Sequence, residues 1–262
     1  MSHPAIYLQN VTKQFGSFTA VSDINIEVTT GELFGFLGPN GAGKTTAIKM
    51  MTGLLEPSEG TVEIAGTDIW KKPLKAKRKI AYVPDQPELY DKLTGWEYIQ
   101  FIASVFRIPA DRAKQKADRL LELFSLQHRA HELIEGYSHG MKQKMALTGA
   151  LLHDPDVLFL DEPTVGLDPS SARTLKDLLL QLCREGTTVF VSTHILEIAE
   201  QMCDRIGIIR NGEIIALGTM EELRQSQTAD GASLEDIFLD LTGDEEQQDL
   251  IRELSEERPE SP

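Results

Sequence analysis

Gly38-Pro39-Asn40-Gly41-Ala42-Gly43-Lys44-Thr45-Thr46 is the stretch on which the reading of this chain turns. Its first eight residues fit G-x-x-x-x-G-K-[ST], the P-loop pattern, and its flanks fit what that pattern requires. The preceding run, Glu32-Leu33-Phe34-Gly35-Phe36-Leu37, is short, apolar and bounded by Gly31 and Gly38, as a buried strand is. Thr45 to Met51 is compatible with a helix. Strand, glycine-rich loop and helix in that order wrap backbone N–H groups and a helix N-terminus around a phosphate chain. Lys44 has the length to reach β- and γ-phosphates, and the Thr45 hydroxyl suits Mg²⁺. The spacing predicts that the chain binds a nucleoside triphosphate.

A second chemical signal lies far downstream. Val157-Leu158-Phe159-Leu160 is a continuous apolar run ending in Asp161-Glu162. A fully apolar strand is expected where helices cover both faces of a parallel sheet. Its end places two carboxylates at the carboxyl edge of that sheet, where open α/β sheets bind ligands. Asp161 suits a metal or its water; Glu162, one residue on, points elsewhere and suits a general base for an attacking water.

The remaining chain builds a frame around these two motifs. Ile6 to Val11 and Ile24 to Val28 alternate as antiparallel strands, and Glu59 to Ile64 and Ile80 to Val83 read as further strands. Thr94-Gly95-Trp96-Glu97 has capping-box spacing before an amphipathic helix to about Val105. Asp111 to Phe124 is helical, and Ser138 is placed to cap a helix running to Leu152. Residues 87–155 are therefore expected to be a helical insertion in the P-loop core. Leu175 to Cys183 and Leu196 to Met202 read as helices flanking a strand, Thr187 to Ser192. Asn211-Gly212 joins Ile206–Ile209 to Glu213–Ala216 as a hairpin. Ser233-Leu234-Glu235-Asp236 starts a helix that Gly243 is placed to end, and residues 244–262 are expected to be frayed or disordered. Phe15, upstream of the P-loop, reads equally as a core side chain or as a ring stacked on adenine.

Charge narrows the partners. The net charge is −15, but Glu221 to Pro262 holds 14 acidic and 3 basic residues, whereas residues 1–220 hold 27 and 23. The acidity is mostly a tail property, and a nearly balanced body argues against a phosphate-backbone-binding protein. Lys71-Lys72-Pro73-Leu74-Lys75-Ala76-Lys77-Arg78-Lys79 reads as a solvated helix face rather than a nucleic-acid patch, with membrane contact as a third option. No uncharged apolar run reaches the ~18–20 residues of a membrane span. Met1-Ser2-His3-Pro4 lacks the features of a signal peptide. Cys183 and Cys203, in no metal-binding spacing, fit a reducing cytoplasm.

Taken together, residues 6–220 resemble the nucleotide-binding subunits of ABC transporters. Tyr137-Ser138-His139-Gly140-Met141-Lys142-Gln143-Lys144 resembles the ABC signature, with His139 and Met141 where the family more often has Gly and Gln. Val165-Gly166-Leu167-Asp168 resembles the D-loop, Thr193-His194 the switch histidine, and Phe15 the A-loop aromatic. In Tyr82-Val83-Pro84-Asp85-Gln86 the family's Q-loop glutamine falls on Asp85, so either Asp85 or a shifted Gln86 approaches the metal. The Asp variant, the signature and the ending Leu234-Glu235-Asp236-Ile237-Phe238-Leu239 are similar to bacterial ABC-2-type exporter ATPases, particularly the Ecs-like branch.

The resemblance implies an α/β P-loop NTPase core with a mostly parallel sheet, an N-terminal antiparallel β subdomain and an inserted helical subdomain. Residues 1–220 would be the ATPase domain, and 221–262 an acidic extension. It further implies ATP and Mg²⁺, the metal held by Thr45, Asp161 and Asp85, and an ATPase coupled to transport. Two such subunits, expected to be a homodimer, would pair head to tail. The P-loop of one would then face Ser138, His139, Gly140 and Met141 of the other, with Asp168 linking the sites. Glu162, His194 and Lys44 would be catalytic. A separate integral membrane permease would seat a cytoplasmic helix near Asp85 to Tyr90, Leu93 and Trp96. The protein would then be cytoplasmic, peripheral on the inner face of the membrane, with no nucleic-acid partner. The competing reading is a soluble ABC ATPase acting on ribosomes or DNA; the single P-loop and absence of a heptad run favour the exporter.

Overall fold

The computed structural model describes residues 4–225 and 233–242. The chain opens with β1 (Ile6–Phe15) and β2 (Phe18–Val28), an antiparallel pair whose tip is Gly16-Ser17. These strands extend beyond the apolar alternation, because register shifts between Leu8 and Gln14 absorb the interruptions. The P-loop strand β3 (Leu33–Leu37) leads into α1 (Lys44–Met51). Then come β4 (Glu59–Ile64), β5 (Thr67–Asp68), α2 (Pro73–Lys77) and β6 (Ile80–Val83). The helical insertion follows as α3 (Gly95–Phe106), α4 (Ala110–Leu123) and α5 (His139–Leu151), with short 3-10 turns at Gln127–Arg129 and Ile134–Gly136. The chain returns through β7 (Val157–Asp161), α6 (Pro169–Arg184), β8 (Thr188–Thr193) and α7 (Leu196–Met202). It continues with β9 (Arg205–Arg210), β10 (Glu213–Gly218), α8 (Met220–Gln225) and α9 (Leu234–Thr242).

Two sheets organise these elements. One is antiparallel, in the order β2-β1-β4-β5; the other runs β10-β9-β3-β8-β7-β6. In the second sheet β3, β6, β7, β8 and β9 are parallel, and only β10 pairs antiparallel, to β9. The fold is thus the expected α/β P-loop architecture with its antiparallel and helical subdomains.

The period-two alternation of the parallel strands sends side chains to both faces. Phe34, Phe36, Phe159 and Phe190 meet Ile6, Leu8, Val21 and Ile26 of the antiparallel sheet and Ile48 and Met51 of α1. Phe34 and Phe190 stack with centroids 5.3 Å apart. Leu158, Leu160, Val189 and Val191 face the other way, against Met145, Leu147, Leu175 and Leu179. Truncating a fully buried phenylalanine such as Phe190 to alanine costs about 3–5 kcal/mol.

The capping box is realised: Thr94 Oγ1 accepts from the Glu97 N–H at 3.2 Å, and Glu97 Oε2 accepts from the Thr94 N–H at 2.8 Å. Helix α6 starts six residues before the expected Leu175, because Asp168 caps it and Pro169 occupies its first position. Pro73 opens the short helix α2 instead of interrupting one. Leu223, Leu234 and Ile237 of α8 and α9 pack on Leu37, Ala199, Ile206 and Ile208. Gly243 and residues 244–262 lie outside the described residues.

Candidate functional site

Parallel pairing brings the ends of β3, β7 and β8 to one edge, with Leu37 opposite Thr193 and Asp161 opposite Ser192. The P-loop leaves β3 at that edge. Gly43 caps α1 with φ +109°, and a Cβ there would stand 2.6 Å from the Ala20 carbonyl oxygen, so only glycine fits. Ala42 is buried beneath the loop, and Gly38 packs against Ile209, leaving a Cβ only 2.4 Å from its carbonyl oxygen.

Above this floor lies a cavity of about 280 Å³ lined by Pro39, Asn40, Gly41, Gly43, Lys44, Thr45 and Thr46. Phe18, Ala20, Asp85, Asp161 and Glu162 complete its walls. The Lys44 ammonium donates to the Gly38 carbonyl at 2.7 Å and to that of Pro39 at 3.2 Å. Lys44 is only 6% exposed. Burial pulls its pKa below the usual lysine range, while Glu162 and Asp161 oppose the shift.

Asp161 and Glu162 diverge as expected. Asp161 accepts from Thr45 Oγ1 at 3.0 Å and from the buried Ser192 hydroxyl. Glu162 takes a left-handed φ of +49°, which turns its side chain toward His194. Thr45 Oγ1 and Asp161 Oδ2, 3.0 Å apart, match the edge of about 2.9 Å between neighbouring ligands of octahedral Mg²⁺ at 2.0–2.1 Å. Both are hard oxygen donors, so the pair fits that ion. Among the described residues no three His, Cys, Asp or Glu side chains form a metal-binding group, so an ion here would rely on phosphate oxygens and water for its other ligands.

Asp85 lines this cavity, whereas Gln86 lines only the adjoining groove. That groove, about 660 Å³, runs between the segment Asp85–Leu89 and the helices α3 and α5 and also touches Thr45 and Asp161. Asp85 is therefore the wall shared by the two spaces. Leu93 and Trp96 are not part of the groove; Trp96 lies over the α3–α4 cleft near His131 and Lys114.

Phe15 is 50% exposed, which removes the core-packing alternative. It pairs across the hairpin with Phe18, whose ring lines the cavity. Ser138, His139, Gly140 and Met141 do not line that cavity. They form the N-terminus of α5, where the Ser138 hydroxyl accepts from the Met141 N–H at 3.3 Å. Within the chain this turn rests on Val165-Gly166-Leu167-Asp168. A Cβ on Gly140 would meet the Gly166 carbonyl oxygen at 2.8 Å, and one on Gly166 would meet His139 Cδ2 at 2.4 Å. Lys144 reaches Asp168 at 3.7 Å. Asp168 accepts from the Ser171 N–H at 2.9 Å and hydroxyl at 2.5 Å, and these bonds pull its pKa down to about 2.

Two residues of the site escaped the sequence reading. Ser192 was read only as a strand end, and Tyr82 only as part of a loop motif. Tyr82 lies beside Asp161 and Asp85; burial, then those charges, push its phenol well above the usual range. Ser192 belongs to no motif and Tyr82 only precedes the Q-loop position, so no sequence signal singled either out. The Asp168-Pro169 step, in contrast, carried a helix-start signal.

Residues 21–165 match the sequence profile of the family described as ABC transporter. The uncharacterized ABC transporter ATP-binding protein YhcH of Bacillus subtilis is 45% identical over 216 residues, 82% of this chain and 70% of that protein. The bacitracin transport ATP-binding protein BcrA of Bacillus licheniformis is 40% identical over 79% of this chain and 67% of its own length. A solved ATP-binding subunit of an ABC transporter superposes with a TM-score of 0.87 at 32% identity, covering 91% of this chain and 99% of the other. A dimeric ATP-binding cassette in a post-hydrolysis state, bound to ADP and Pi, gives a TM-score of 0.76 at 28% identity, covering 82% and 98%.

Proposed function

This chain belongs to the ABC transporter family, and from that premise we propose that it is the ATP-hydrolysing subunit of an exporter, energising a separate membrane permease. The observation that carries the reading is the division of labour at the end of β7. Asp161 is tied to Thr45 of the P-loop, while Glu162, one residue on, is turned to His194 at 2.9 Å. One carboxylate is thus committed to the metal side and the other left for water.

ATP would lie along the P-loop, its phosphates met by backbone N–H groups between Asn40 and Thr46 and by Lys44 once that ammonium leaves the Gly38 and Pro39 carbonyls. Thr45 and Asp161, with Asp85 facing the same space, would hold Mg²⁺, which would supply charge neutralisation for the phosphates. Glu162 takes a proton from the attacking water, whose oxygen bonds to the γ-phosphorus as the bond to the β-bridging oxygen breaks. His194 contacts the γ-phosphate and stabilises its developing charge.

The signature turn, with Ser138 exposed and Gly140 half-buried, lies outside its own chain's cavity and would close a partner's, in a head-to-tail homodimer with two ATP molecules between the subunits. ATP bridges both surfaces and ADP does not, so hydrolysis would release the pair. The groove between Asp85–Leu89 and the helical insertion offers a seat for a permease helix. No helix among the described residues is long and apolar enough to cross a membrane.

The test is an affinity pull-down of the tagged Glu162→Gln chain from detergent-solubilised cells with ATP. A stoichiometric multi-span membrane protein is expected to co-purify. Ribosomes or nucleic acid in its place would overturn the transporter reading.

A further inference from the structure

The basic run around α2 has a feature that a solvated helix face does not explain. Lys71, Lys79 and Arg112 are neutralised by Asp68, Asp156 and Asp154 at 2.7, 3.3 and 2.8 Å. Lys72, Lys75, Lys77, Arg78 and Arg107 are all exposed, and no carboxylate stands within ion-pair distance of them among the described residues. Exposed aliphatic side chains lie close to several of these cations. Leu74 is 77% exposed, Val105 58% and Leu54 61%. Leu74, Lys77, Arg78, Val105 and Arg107 line one open cavity of about 600 Å³. A Cβ on Gly53 would stand 2.9 Å from Lys77 Cε, which places the Lys77 stem beside the residue preceding Leu54.

We propose that this face docks on an anionic phospholipid surface, the cations meeting headgroup phosphates and Leu54, Leu74 and Val105 entering the interfacial layer. Four to eight clustered Lys and Arg are the number that holds a segment to an anionic leaflet, and aliphatic side chains among them add apolar burial. Long basic side chains suit such a boundary, because their stems cover apolar surface while their heads reach phosphate. Nucleic acid is the poorer match. Base recognition on single strands uses exposed aromatic platforms, whereas Phe106, the aromatic ring of this cavity, is stacked on His153 at 3.7 Å.

Position agrees with charge. Phe106 and His153 also line the groove beside Asp85, so the basic face is continuous with the seat assigned to a permease helix. This orientation rests on the transporter reading; the charge pattern does not. The net charge of −15 makes the inference sharper, since the chain as a whole should avoid anionic vesicles. Attraction must come from a local patch acting within a screening length of about 10 Å at 0.1 M salt.

The experiment is sedimentation of the full chain, without a membrane subunit, with vesicles of phosphatidylglycerol and phosphatidylethanolamine or of phosphatidylcholine alone. Binding is expected to the first and not the second. The triple variant Lys72→Glu/Lys75→Glu/Arg78→Glu should lose at least about tenfold in vesicle affinity. The same reversals at Lys92, Lys114 and Arg129, on the helical subdomain, should leave it unchanged. Leu54→Ser/Leu74→Ser should remove the part of binding that survives high salt. Absence of binding to anionic vesicles, equal loss in the helical-subdomain variant, or preferential capture of single-stranded DNA or an acidic polypeptide over vesicles would each overturn the proposal. None of these residues lines the nucleotide cavity, so the reversals should leave ATP hydrolysis intact, and a failure here is separable from a failure of the transporter reading.

Discussion

The carboxylate of Glu162 stands 2.9 Å from Nδ1 of His194, and the peptide N–H of His194 donates to the same oxygen at 3.3 Å. The two residues leave adjacent parallel strands, β7 and β8, just past the register pair Asp161 and Ser192. The contact depends on the left-handed backbone of Glu162, a conformation of the kind that concentrates at functional sites. On the proposed ATPase reading, an incoming γ-phosphate would offer His194 a second partner, and the pair would exchange one contact for another.

Replacing Glu162 by glutamine should preserve ATP binding and lower turnover by at least about 100-fold, the scale of a lost general base. The variant should also accumulate as an ATP-stabilised dimer. Phosphate release and size-exclusion chromatography with ATP measure the two effects, and near-wild-type hydrolysis would remove Glu162 as the base.

Asp168 provides a pH signature. Donors from Ser171 favour its charged form, so its pKa of about 2 lies below the ordinary carboxylate value. The sign follows: the stabilising contribution is complete above the unfolded pKa of about 4 and fades as pH falls toward 2. Carboxyl-carbon NMR titration of Ser171→Ala should return the Asp168 midpoint toward the ordinary range. An unchanged midpoint would mean that other donors hold it.

Gly166→Ala should disturb the seat of the signature turn. Its φ of +76° disfavours any Cβ, and that Cβ would overlap the His139 ring. The expected cost is about 1–2 kcal/mol in stability, with reduced ATPase activity. Adding His139→Gly should recover the steric share and leave the backbone share. A double-mutant cycle by urea denaturation reads the coupling, and strict additivity would show that the two residues do not touch.

Phe15→Ala should weaken ATP affinity without destabilising the fold, because the ring is exposed. Stacking on a base is worth about 1–3 kcal/mol, or roughly 5- to 150-fold in affinity. A fluorescent-nucleotide titration measures it. Loss with Phe18→Ala alone would assign the adenine platform to the ring that already lines the cavity.

Much of this was legible in the sequence because it is local. The P-loop is contiguous, Thr94 and Glu97 carry their capping box within four residues, and the Asp161-Glu162 step follows an unbroken apolar strand. The exact extent of β1 and β2 was not legible, since bulges break the alternation that periodicity detects. Nor was the choice between Asp85 and Gln86, because neighbouring residues in a loop have no fixed period to assign their directions.

Residue type at short spacing was enough to specify the nucleotide-binding loop, the α/β architecture and the order of the motifs. Which motifs meet follows instead from how the chain packs in three dimensions. Parallel pairing of β3, β7 and β8 sets Thr45, Asp161, Glu162 and His194 along one sheet edge. The insertion carries Ser138 away from that cavity and seats the next two residues, His139 and Gly140, on Gly166. Tertiary packing also leaves Lys72, Lys75, Lys77, Arg78 and Arg107 without an ion-pair partner among the described residues, because ion pairing depends on distances that no one-dimensional spacing fixes.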